Sequence, residues 1–121
     1  HHHMAPSGRL IFVSSPVSVV GANKPSYAAS KSGLQGLMMS VSRTLGKRQI
    51  QVNSILPGPM ITGMTSDWSV EKRERIADET YLGRLCMPEE VAAVIRFLLS
   101  EECSYLTASV IDMTAGSMFG H

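Results

Sequence analysis

The stretch IQVNSILPGP, residues 50–59, sets the frame for the rest of the chain. Its first seven residues are mostly apolar and carry no charge, as a strand buried on both faces does. Proline and glycine at 57–59 then stop it, because proline donates no backbone hydrogen bond and glycine favours a turn. Working upstream, Leu34, Leu37, Met38, Val41 and Leu45 fall at i, i+3, i+4, i+7 and i+11. That spacing predicts a helix with one apolar stripe, opening near Ser26 and closing at Gly46 with Lys47 and Arg48 beside the negative pole of its dipole. Gly33 and Gly36 lie inside it and cost roughly 1 kcal/mol each relative to alanine, so the sequence leads us to expect a close backbone approach there. Further upstream, RLIFVS at 9–14 reads as another buried strand, and SSPVSVVGANKPS as loop.

Downstream, VEKRERIADETY at 70–81 predicts a polar surface helix whose charges form a solvated face. Pro88, Glu89 and Glu90 open a further helix, with proline in the first turn and carboxylates at the positive dipole end. Val91, Val94, Ile95, Leu98 and Leu99 give its core stripe. ASVIDM at 108–113 predicts the last strand. The order is β-α-β-α-α-β, which implies parallel strands joined by right-handed crossovers and an α/β fold.

Composition narrows the function classes. The chain has 121 residues, 44% hydrophobic and 17% charged, with a net charge of +1. That size fits one domain, and the charge balance gives no electrostatic reason for a nucleic-acid or anionic membrane partner. His1–His3 read as a tag remnant, leaving residues 4–121 as a single domain. The remaining histidine is His121, so a Ser-His-Asp site, a Cys-His site or a histidine zinc site has no internal histidine to use. No GxSxG appears either. Cys86 and Cys103 form no CxxC and read as reduced thiols of a cytoplasmic protein. No apolar run is long enough to span a bilayer.

Tyr27 and Lys31 stand four apart in PSYAASKSGLQG, residues 25–36, and so share one helix face. A phenol with its ordinary pKa near 10 is a poor acid–base catalyst at neutral pH, and an adjacent ammonium favours the phenolate. The pair could pass a proton to or from a substrate oxygen without a metal or a histidine. Ser14 or Ser15, at the end of the first strand, could bind the same oxygen. Alone, a tyrosine and a lysine at this spacing are more often an ordinary surface pair.

In order along the chain, GRLIFVSS, YAASKSGLQGL, IQVNSILPGPMITGM and MPEEVAAVIRFLLSEECSYLT resemble the short-chain dehydrogenases/reductases, in a compact form similar to beta-ketoacyl carrier-protein reductases. The resemblance covers nearly all of residues 8–116. It implies a Rossmann-like doubly wound fold, NAD or NADP as cofactor, and a small carbonyl or secondary-alcohol substrate. It implies Tyr27 as the catalytic acid, with Lys31 lowering its pKa and binding the nicotinamide ribose. It implies a serine on the substrate oxygen; strand register selects Ser15, while the family's spacing to the tyrosine selects Ser14. Pro57, Gly58, Met60 and Thr62 match positions lining the nicotinamide and phosphate region.

Departures from the family pattern are equally specific. The final strand usually ends in Asp-Gly-Gly; here Met113, Thr114 and Ala115 occupy that neighbourhood, and Ala108 stands where a glycine is usual. A first βα turn carrying glycines, where pyrophosphate meets a helix N-terminus, is not found. The sequence therefore resembles the C-terminal half of a doubly wound sheet. From this follow three expectations: an exposed edge at RLIFVS, an uncovered apolar stripe on the first helix, and a homo-oligomer or a complementing chain as partner.

Overall fold

The computed structural model describes residues 8–14, 24–58, 60 and 67–116, with the side chains of 24–27 and 30 outside that description. Its elements are β1 (Arg9–Val13), α1 (Lys24–Gly46), β2 (Gln51–Pro57), α2 (Val70–Asp78), α3 (Pro88–Leu98) and β3 (Ser109–Met113). The three strands form one parallel sheet in the order β1-β2-β3. Every expected element is present. The first helix opens two residues before Ser26, which Pro25 permits because proline is tolerated in a first turn, where its missing N–H is not needed. The helix expected over 70–81 ends at Asp78. The last strand begins at Ser109, because Ala108 sits in the left-handed region at φ 63.

β2 is the centre of the molecule. From Val52 to Gly58 every residue is buried. The pleat divides the sheet between two helices. One face carries Val52, Ser54, Leu56, Val110 and Asp112, paired in register across β2 and β3, and α1 packs against these two strands. Met38 of α1 is fully buried, and the Ser42 hydroxyl donates to the Val52 carbonyl at 3.5 Å. The other face holds Ile55, with Leu98 and Cys103 as the buried cluster, and Ile11, Val94, Ile95, Leu106, Ile111 and Met113 packed around them.

The expectations about α1 are corrected in part. Its stripe packs on β2 and β3 of this chain, with Met38 buried and Leu34, Val41 and Leu45 half-buried. Leu37 is the exception, 50% exposed; it stands about 100° around the helix from Met38, at the edge of the contact. Gly33 and Gly36 are both exposed, and an added Cβ at either would meet nothing within 4 Å among the described residues. The close approach expected there is not made, because the sheet lies on the opposite side of the helix.

The exposed edge at RLIFVS is found. β1 pairs with β2 alone among the described residues. Leu10 and Phe12, on the α1 side of the sheet, stay 39% and 38% exposed, because α1 lies over β2 and β3 instead. The turn before β3 is stitched to β2: Asn53 donates to the Leu106 carbonyl at 3.0 Å and accepts from the Ser109 N–H at 3.1 Å. The Ala108 N–H donates to the Val52 carbonyl at 2.7 Å. Among the described residues no helix is long and apolar enough to cross a membrane.

Candidate active site at the carboxyl ends of the strands

In a parallel sheet all strands deliver their carboxyl ends to the same side, and ligands of open α/β sheets bind there. The described sequence candidates fall on that side. Lys31 lies in the second turn of α1, on the face that carries Met38. Its ammonium is 3.2 Å from Asp112 Oδ2, near the end of β3, with side-chain exposures of 22% and 15%. The Asp112 Oδ1 atom accepts from the Thr114 N–H at 2.9 Å and from the Thr114 hydroxyl at 2.6 Å. Pro57 is the last residue of β2. Gly58 follows it, and its N–H donates to the Met113 carbonyl at 3.0 Å.

Gly58 has a steric reason to be glycine: a Cβ there would stand 2.8 Å from Thr114 Cα. The ends of β2 and β3 approach more closely than any side chain allows. Met60 bridges in parallel to Cys86. Ser14 continues the β1–β2 ladder, its N–H donating to the Ile55 carbonyl at 2.9 Å. Tyr27 lies on α1 one turn before Lys31, with its side chain outside the described residues. Ser15 and Thr62 are also outside them. The structure therefore brings Lys31, Pro57, Gly58 and Asp112 to one end of the sheet, and Tyr27 enters that region by its place on the same helix.

Asp112 is a charged residue of this region that sequence reasoning did not single out. The available signal was a lone carboxylate in the otherwise uncharged strand SVIDM; its partner is 81 residues away, which local patterns do not reveal. Beside Asp112 opens a cavity of about 250 Å³, lined also by Gly58, Arg84, Cys86, Glu90 and Thr114. Arg84 grips Glu90 with two parallel hydrogen bonds, at 2.7 and 2.8 Å. This bidentate contact, together with the Met87 N–H, holds the Glu90 carboxyl down to about 2 and raises the Arg84 guanidinium. Cys86 is pushed up, by burial first and then by Glu90, so its thiol is protonated at neutral pH. Cys86 and Cys103 are both free, and no group of three or more metal-ligating side chains occurs among the described residues.

Comparison with known proteins gives the family. A family model described as enoyl-(acyl carrier protein) reductase matches residues 1–117. The 3-oxoacyl-[acyl-carrier-protein] reductase FabG of Pseudomonas aeruginosa is 37% identical over 90% of this chain and 44% of its own length. The human (3R)-3-hydroxyacyl-CoA dehydrogenase is 39% identical over 90% of this chain and 42% of its own. Among solved structures, the angucycline C-6 ketoreductase LanV with bound NADP superposes with a TM-score of 0.73 at 32% identity, covering 94% of this chain and 45% of that one. A short-chain dehydrogenase/reductase of Serratia marcescens gives a TM-score of 0.75 at 32% identity, over 92% and 46%. The chain belongs to the short-chain dehydrogenase/reductase family, and its fold is part of a Rossmann-like α/β sheet. It spans less than half the length of these relatives.

Proposed function

We propose that this chain carries the proton-handling part of an NAD(P)-dependent oxidoreductase that interconverts a carbonyl and a secondary alcohol. The observation that carries the reading is Lys31, fixed at the carboxyl end of a parallel sheet one helical turn after Tyr27, in a member of this family. Tyr27 gives or takes the proton at the substrate oxygen. Lys31 favours the phenolate and donates to the nicotinamide ribose. Ser15, or Ser14 in the alternative alignment, donates to the same substrate oxygen.

The residues present suit the nicotinamide end of such a cofactor. A half-buried ammonium offers a donor for a ribose hydroxyl, and Pro57 and Gly58 end β2 on the same side of the sheet. Pro57, Gly58, Met60 and Thr62 would hold that end. When bound, the nicotinamide supplies or accepts the hydride. The described residues offer no glycine-rich turn for the adenine end. Names of the relatives make a 3-oxoacyl thioester the substrate class to assay first, and the free thiols suit a reducing, cytoplasmic setting.

A second reading follows from the apolar edge of β1: this is a half-site that acts after pairing with a dinucleotide-binding half, on a second chain or a longer one. One assay addresses both readings. NADH and NADPH oxidation with a 3-oxoacyl thioester is followed for the 121-residue protein alone and after mixing with a chain carrying the glycine-rich half. The expected result is little turnover alone and activity on mixing. Tyr27→Phe then lowers that activity by roughly 10²–10⁴-fold, the usual contribution of acid–base catalysis. Steady turnover by the protein alone would refute the half-site reading; activity indifferent to Tyr27→Phe would refute the role given to the tyrosine.

A further inference from the structure

α1 packs against β2 and β3, and those two strands, QVNSILP and SVIDM, hold a single ionisable side chain, Asp112. Its carboxylate is held from one side. Oδ1 is fastened to Thr114, a residue only 1% exposed, through both the N–H and the hydroxyl. Oδ2 is thereby aimed at the Lys31 ammonium at 3.2 Å. A carboxylate anchored in this way does not swing out to water, so it holds the lysine that meets it to the end of β3. The other charged groups around the adjoining cavity leave this arrangement standing. Arg84 and Glu90 neutralise each other through their bidentate contact, and the Cys86 thiol is kept protonated, chiefly by burial.

We propose that Asp112 is a positioning residue for Lys31: it fixes the ammonium at the end of β3 and offsets part of its charge, so that it sets how strongly Lys31 favours the Tyr27 phenolate. The inference rests on the reading of Tyr27 and Lys31 as an acid–base pair, and it adds a third member that restrains the pair. A lysine fully available to the phenol stabilises the phenolate most; a lysine shared with a carboxylate stabilises it less. The restraint keeps the phenol protonated, the form needed for donating a proton to a carbonyl oxygen.

The test reads the phenol directly and needs no turnover. Tyrosine ring carbons of the 121-residue protein are labelled with ¹³C, the Tyr27 signal is assigned by its loss in Tyr27→Phe, and its titration is followed with pH. Asp112→Asn, which keeps an oxygen acceptor for Thr114, lowers the Tyr27 midpoint by on the order of half a pH unit. Asp112→Glu, which keeps the charge, stays close to the unmodified protein. In a Lys31→Met background the Asp112→Asn change moves the midpoint less than half as far, because the effect runs through the ammonium. An unmoved midpoint in Asp112→Asn, or an equal shift with and without Lys31, overturns the inference while leaving the acid–base pair intact. If Lys31→Met itself fails to raise the midpoint, the pair is overturned and the inference with it.

Discussion

Three non-glycine residues, Gln49, Ala108 and Ala115, are held at φ 59, 63 and 53. An L side chain in that region crowds its own carbonyl and costs roughly 1–2 kcal/mol. Ala108 stands where this family usually has glycine, which gives a physical meaning to a departure that otherwise looks neutral. Ala108→Gly and Ala115→Gly are each expected to stabilise the fold by about 1 kcal/mol, read as a raised midpoint in urea unfolding. At two glycines the same reasoning runs in reverse. Gly116 is at φ +79 with the Tyr81 ring 2.2 Å from where its Cβ would be, and Gly58 has backbone within 2.8 Å. Gly58→Ala is therefore expected to separate the ends of β2 and β3 and to lower stability by more than about 1 kcal/mol.

The helices differ in what holds them. α2 has no buried residue and relies on its Ser69 cap, whose hydroxyl accepts from the Lys72 N–H at 3.1 Å. α3 buries Val91 and Leu98 and is fastened at its start by Glu90, which accepts from the Met87 N–H at 2.9 Å and from Arg84. Because the Glu90 carboxyl is held down to about 2 from its ordinary 4.5, its contribution is fully present above pH 4.5 and fades as pH falls towards 2. Glu90→Gln should thus melt below the unmodified protein at neutral pH, with the difference closing across that acid window in a series of melting curves. Amide exchange separates the elements in another way. β2 lies between two strands, with α1 on one face and α3 on the other, so its amides should exchange slowest, and those of α2 fastest. Comparable protection of α2 and β2 would contradict this ranking.

The asymmetry of the molecule as a whole lies in its sheet. Both outer strands are edges among the described residues, but β3 is half-buried along its whole length, while β1 leaves Leu10, Phe12 and Val13 exposed. Such an edge is a template for pairing. Sedimentation velocity over a concentration series is expected to show association, and Phe12→Lys to suppress it; a protein that stays monomeric throughout would count against an edge-driven contact. Packing at the centre is decisive by contrast. Leu98→Ala, in the cluster with Ile55 and Cys103, should cost about 2–5 kcal/mol.

Much of this was legible along the chain. IQVNSILPGP announces a buried strand, since a charged residue is not compatible with that place, and its stop, which falls after Pro57 rather than before it. The i, i+4 spacing of Tyr27 and Lys31 likewise follows from helix geometry, and the order of strands and helices implies the parallel sheet. Other features depend on which surfaces meet in space. Gly33 and Gly36 suggested a close neighbour, but a glycine in a helix states only its own cost, not the direction of its neighbours. Leu37 belongs to the stripe by spacing and falls outside it because contact with a sheet is narrower than the apolar arc. The pairing of Lys31 with Asp112 joins residues 81 apart, and short-range periodicity carries no information at that separation. Local rules of hydrogen bonding and periodicity specify the elements and the candidate pair Tyr27 and Lys31; the crossing of α1 over β2 and β3, a long-range packing event, brings the Asp112 carboxylate to Lys31.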